Sequence, residues 1–118
     1  MPDTISWMLQ LNVRDGQLDN LRALMPEMVA STQEEPGTLG YEWFLSADGK
    51  TCHLYERYAD NAAALVHAGN FGANFAERFF GCLEPTSFCL YGEPSAELKA
   101  ALDGFGVEYF PWFGGFHR

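Results

Sequence analysis

The sequence predicts an α+β fold of the ferredoxin-like, split βαβ kind, with the order β-α-β-β-α-β and an antiparallel sheet. Three observations predict it. The first segment alternates apolar and polar residues with the period of a strand, two later segments carry apolar residues at helical spacing, and an Asp-Gly pair joins two strand-like runs. A chain of 118 residues is long enough for one core and too short for two comfortable ones.

Residues 4–13, TISWMLQLNV, put Ile5, Trp7, Leu9, Leu11 and Val13 on one face and Ser6, Met8, Gln10 and Asn12 on the other. That is the first strand. From Gln17 to Glu34, Leu18, Leu21, Met25, Met28, Val29 and Thr32 follow helical spacing, with Pro26 expected to kink the helix because it removes a backbone donor. Pro36 and Gly37 end it, since Pro36 disfavours helical geometry at Glu35. Leu39 to Ser46 and Thr51 to Tyr58 make a hairpin about the Asp48-Gly49 turn. Asp60 is the N-cap of a helix expected from Asn61 to about Ala68, with Gly69 and Gly72 breaking or bending it. Phe71, Phe75 and Phe79 then recur every fourth residue, Pro85 resets the chain, and residues 86–92 read as the fourth strand.

Residues 1–92 hold this plan. Residues 93–118 are read as a short helix and an aromatic, glycine-punctuated arm of the same domain. The arm's Phe105, Tyr109, Phe110, Trp112, Phe113 and Phe116 seek burial. Three roles suit it: an arm across a second subunit, which is favoured, a lid over a pocket, or an extra edge strand. Apolar residues fall on both sides of the sheet, so a homodimer is expected to cover the side that the helices leave open.

Seven basic against sixteen acidic residues give a formal charge of −9, which lacks the basic stripe that a nucleic-acid partner requires. The apolar runs are short and interrupted, so no membrane span is expected. The start, MPDTISWMLQ, has no basic region followed by an apolar stretch, and a cytoplasmic location is expected. Three cysteines without a Cys-x-x-Cys pair read as reduced, mostly buried thiols. His53, His67 and His117 are far apart and lack metal-ligand spacing, so no metal is expected.

EEPGTLGYEWF, DGKTCHLYERYAD and AALVHAGNF together resemble the antibiotic biosynthesis monooxygenase family and its dimeric α+β barrel relatives. The resemblance rests on Glu35-Pro36-Gly37 closing the first helix, Tyr41 in the second strand, Glu56 to Asp60 leading into the next helix, and His67 one turn before Phe71. It covers about residues 4–92. It implies a dimer whose sheets pair into a barrel, and a reaction that oxidises a quinol or a phenolic, polycyclic aromatic compound with oxygen and no cofactor. The other class compatible with it is a non-catalytic, small-molecule-binding or stress-response dimer. The chain departs from some catalytic branches in having no tryptophan in the helix around His67, and in carrying Asn70 where many relatives have a second histidine or a small polar residue.

Such chemistry needs an apolar cavity, a group that takes the phenolic proton, and donors that hold the oxyanion. His67 is the candidate catalytic residue, because an ordinary pKa of about 6.5 leaves imidazole neutral near pH 7. Asn70, on the same helical face, would hold a carbonyl or hydroxyl, and Phe71, Phe75, Tyr41 and Trp43 would wall the substrate. Each has a plainer reading. With Ala62, Leu65, Val66 and Gly69 as the buried side, His67 falls at its edge, where a histidine ordinarily bonds a carbonyl or water. The phenylalanine ladder reads first as core, the strand aromatics as packing, and Arg57 and Arg78 as surface charges.

Overall fold

The computed structural model describes residues 2–118. The elements run β1 (Ile5–Val13), α1 (Leu18–Gln33), β2 (Thr38–Leu45), β3 (Thr51–Tyr58), α2 (Asn61–Asn74), α3 (Ala76–Cys82), β4 (Leu83–Tyr91), α4 (Ala96–Ala101) and β5 (Glu108–Phe110). The strand order is β2-β3-β1-β4-β5. Its first three pairings are antiparallel, as the ferredoxin-like plan requires, but β5 joins β4 in parallel, so the sheet is mixed rather than wholly antiparallel.

The register decides which residues meet the helices. Trp7 stands between Glu56 and Leu90, and Leu9 between Leu54 and Phe88, while Tyr41 pairs with Glu56 and Trp43 with Leu54. These residues share one face of the sheet. Two apolar clusters form against it. Leu21, Leu24 and Met28 of α1 pack with Leu11, Leu54 and Phe79, and Ala64 of α2 and Leu98 and Leu102 of the C-terminal segment pack with Ile5, Trp7 and Tyr58.

Three local expectations change. Pro26 lies within α1, which runs through it as one helix, and Leu24 rather than Met25 joins the buried stripe. The second helix does not stop near Ala68. Gly69 and Gly72 keep negative φ, face open space and leave α2 intact to Asn74; the break comes at Phe75, whose φ of −130° and ψ of −17° are not helical. Pro85 does not precede the fourth strand but lies inside it, opposite Leu11, beside a register shift between Gln10 and Leu11. A bulge there relieves the ladder bond that proline cannot make.

The aromatic tail divides. Residues 108–110 form the edge strand, one of the three roles considered, and Gly104, Phe105 and Gly106 border the cavity described below. Trp112, Phe113 and Phe116 are exposed.

Gly37 packs closely against Ala63 of α2. A Cβ built there would stand 2.5 Å from the Cβ of Ala63. Gly37→Ala is therefore expected to destabilise by about 1–3 kcal/mol through forced separation of α2 from the turn. Gly69→Ala, inside α2 and facing open space, should stabilise by roughly 0.5–1 kcal/mol. Opposite shifts of the two urea midpoints check both.

Candidate active site

Contact of Ala63 with Gly37 fixes how α2 rolls on the sheet, and Asp60 anchors its start by accepting a hydrogen bond from the Ala63 N–H at 2.9 Å. Ala64 and His67 are therefore buried, and Ala68 and Phe71 follow on the same side. The buried stripe passes through His67 instead of leaving it at the edge. Val66, expected inside, is half exposed, and His67 is 6% exposed.

Both nitrogens of the ring face carboxylates. Nδ1 lies 2.9 Å from Glu35 Oε1, and Nε2 lies 3.0 Å from Glu56 Oε1. Glu35 reaches the ring from the turn after α1, where Thr38 donates to its Oε1 at 2.8 Å and Asn70 to its Oε2 at 3.1 Å. Glu56 comes from the inward row of β3, Cys52-Leu54-Glu56-Tyr58, every member of which is buried. The Tyr58 hydroxyl also donates to Glu56 Oε1.

Burial alone would pull the His67 pKa down, but the contacts with Glu35 and Glu56 outweigh it and raise the pKa to about 9. Burial pushes Glu35 up, and the hydrogen bonds from His67, Asn70 and Thr38 overcome it, so this carboxyl sits below its usual range. Burial, reinforced by the charge of Glu56, lifts the Tyr58 phenol well above its ordinary value, so it stays a donor. Near pH 7 His67 is therefore an imidazolium paired with the Glu35 carboxylate, and its other nitrogen faces Glu56.

A pH dependence of stability follows. The contribution of His67 is complete below pH 6.5 and is lost as pH rises through about 9; that of Glu35 is present above pH 4.5 and is lost as pH falls through its lowered pKa. Stability is expected to be greatest between these limits and to fall by up to about 3 kcal/mol on the alkaline side, at 1.36 kcal/mol per pKa unit. Urea unfolding at pH 6, 7.5 and 9 measures it.

Beside this group lies a cavity of about 610 Å³, bounded by residues of both apolar clusters. Its wall is aromatic, with Trp7, Tyr41, Phe71, Phe79, Phe80 and Phe88, and Phe105 of the tail stacks on Phe80 at 6.1 Å between ring centroids. Glu56 and His67 supply the charge in that wall. Glu35 does not border it.

Of the residues singled out in the sequence, His67, Tyr41 and Phe71 border the cavity. Asn70 does not; its amide is committed to Glu35. Phe75 packs at the α2–α3 junction against the Leu21–Leu24 cluster, and Trp43 packs edge-on to Phe79. The Tyr41 hydroxyl and the Trp43 indole N–H are buried without a hydrogen-bond partner among the described residues. Arg78 forms a surface pair with Glu27 at 2.8 and 3.0 Å. Among the described residues no three His, Cys, Asp or Glu side chains gather to share an ion, and the two carboxylates occupy both nitrogens of His67. Glu35 and Glu56 were legible only as markers of architecture. An acidic residue between Leu54 and Tyr58 in an inward row was the signal available for Glu56; Glu35, 32 residues from His67, carried none.

Residues 4–79 match the family described as antibiotic biosynthesis monooxygenase. The chain belongs to that family. Rv0793 of Mycobacterium tuberculosis is 40% identical over 50 residues, 42% of this chain and half the length of the relative. The crystal structure of MupZ from Pseudomonas fluorescens superposes with a TM-score of 0.88 at 23% identity, over all of this chain and 91% of MupZ, so the alignment takes in the C-terminal segment. SnoaB from Streptomyces nogalater, described as a cofactor-independent oxygenase, superposes with a TM-score of 0.66 at 12% identity, over 80% of this chain and 96% of SnoaB. At these identities the two likenesses speak for the fold. Among the described residues no helix is long and apolar enough to cross a membrane.

Proposed function

We propose that this family member is a cofactor-independent monooxygenase that oxidises a quinol or phenolic aromatic compound with molecular oxygen. One observation carries the reading: a buried carboxylate, Glu56, stands in the wall of an aromatic cavity and is held there by His67 and Tyr58. The family match and the description of SnoaB support it.

In this reading the proton goes to Glu56 rather than to the ring of His67. With both nitrogens engaged, His67 has no lone pair to offer; it positions Glu56 instead. Oε1 of Glu56 is held by His67 and Tyr58, and no hydrogen bond to Oε2 occurs among the described residues. Oε2 takes the phenolic proton. The phenolate, stacked among Trp7, Phe71 and Phe88, is electron-rich enough to reduce oxygen directly. One oxygen atom enters the ring, two hydrogens leave the substrate, and the second oxygen departs with them as water, so the substrate supplies all four electrons that reduce the oxygen molecule.

Oxygen uptake by chelator-treated, flavin-free protein with a panel of dihydroxynaphthalenes and dihydroquinones tests this. Consumption above the uncatalysed rate, with one oxygen molecule used per product formed, is expected. No uptake across the panel leaves the non-catalytic binding dimer as the reading.

The protein acts as a homodimer in this account. On the outer face of the sheet Met8 lies between Tyr55 and Cys89, and Phe44, Tyr91 and Phe110 are exposed around them. A second copy is the economical cover. Light scattering is expected to return twice the 13.2 kDa chain mass at micromolar concentration, and Tyr91→Glu to return the single mass.

A further inference from the structure

The proposed oxidation begins with a proton transfer that involves no oxygen, and nothing in the wall of the cavity limits that transfer to O–H bonds. We infer that the cavity also has an oxygen-independent activity: abstraction of a proton from an activated carbon of a flat, neutral, bicyclic aromatic compound, with Glu56 as the base. The inference rests on the assignment of Glu56 made above and does not depend on oxygen chemistry.

Three features carry it. His67 Nε2 at 3.0 Å and the Tyr58 hydroxyl both engage Oε1 of Glu56, no hydrogen bond to Oε2 occurs among the described residues, and Glu56 borders the cavity. The cavity wall is mostly apolar and Glu56 is 2% exposed, so the carboxylate sheds little hydration before it accepts a proton. The walls are rings on both sides, Trp7 and Phe88 from the sheet and Phe71 and Phe80 from the helices, in a space of about 610 Å³ that accommodates a planar bicycle. A carbon acid held in that slot is converted from a partner of bulk base into a near neighbour of a fixed one.

5-Nitrobenzisoxazole is a suitable probe because its reaction needs a base and nothing else. Oε2 forms a bond to the C3 proton, and the C–H electron pair becomes the second π bond of a nitrile. The N–O bond breaks, and its electron pair leaves on the phenolate oxygen. The product is an isomer of the substrate, with no external oxidant or reductant. Glu56 returns the proton to water at the mouth of the cavity.

The test is elimination of this compound under anaerobic conditions by wild type, Glu56→Gln and Ala68→Phe, the last placing a ring in the cavity. Wild type is expected to exceed acetate at the same pH by about 100-fold or more per carboxylate. Glu56→Gln, with an unchanged circular dichroism spectrum, is expected to lose that excess, and Ala68→Phe to lose it with Glu56 still in place. A wild-type rate no higher than acetate overturns the inference, as does a folded Glu56→Gln that keeps the excess. Should Glu56→Gln not fold, the decision passes to Ala68→Phe, and an unchanged rate there places the reaction outside the cavity and overturns it equally. Oxygen uptake is read separately. Glu56-dependent elimination without uptake removes only the oxygenase reading, and Glu56-dependent uptake without elimination removes only this one.

Discussion

Replacing His67 by alanine is expected to destabilise the protein by about 3–5 kcal/mol near pH 7, the range for removing one partner of a buried charged pair. Among the described residues the deleted imidazole is the sole cation touching Glu35 and Glu56, which are 7% and 2% exposed, so both carboxylates would be left without their counter-charge. The lost packing against Tyr41 and Tyr58, whose rings lie 5.6 and 5.3 Å from that of His67, adds to the effect. The pH dependence separates the two causes. Protonating the carboxylates relieves the electrostatic part, so the difference from wild type should shrink between pH 7 and pH 5, whereas a cavity defect would persist unchanged. Urea unfolding of both proteins at the two pH values measures it, and a loss below about 1 kcal/mol at pH 7 would contradict a buried ion group.

Glu56→Gln is expected to lower the kcat/KM of oxygen uptake by about 10²–10⁴, the usual worth of a positioned proton acceptor, with little change in KM. Glutamine keeps the shape of the side chain, and its carbonyl still accepts from Tyr58 and faces His67, so binding among the rings should survive while the proton acceptor is gone. His67 remains paired with Glu35, and the protein should stay folded. A fall in kcat is therefore the informative readout. A rise in KM alone would assign Glu56 to binding rather than to proton transfer.

How much of this the sequence carries differs between the frame and the site. The alternation of Ile5 to Val13, the Asp48-Gly49 turn and the Asp60 cap are local signals, and each predicts its element because the cause sits within a few residues. The edges failed where a tertiary contact decided. Gly69 and Gly72 read as breakers, yet the face they occupy is open and the helix is held on its other side through Ala63 and Gly37. The same contact rotates His67 into the core, which no count of apolar residues in VHAGNF could reveal, because Val66 and Ala62 weigh as much on a helical wheel as Ala64 does. The sequence offered His67, Tyr41 and Phe71 on the cavity and Asn70 beside Glu35, but not the two carboxylates and the phenol that gather around the His67 ring. Glu35, Glu56 and Tyr58 join His67 only when the α1–β2 turn, β3 and α2 come together, across separations of 32 residues and fewer, and Glu-Pro-Gly reads locally as nothing more than a helix stop.

The account turns on His67 being a doubly protonated cation that positions Glu56, rather than a neutral base. A nitrogen-15 NMR titration of the imidazole decides this directly, with the resonances assigned by comparison with the protein lacking His67. Two protonated nitrogens at pH 7 and a midpoint near pH 9 are expected. A single protonated nitrogen at pH 7, with a midpoint near the ordinary value of 6.5, would return the ring to the role of base and contradict the assignment of Glu56.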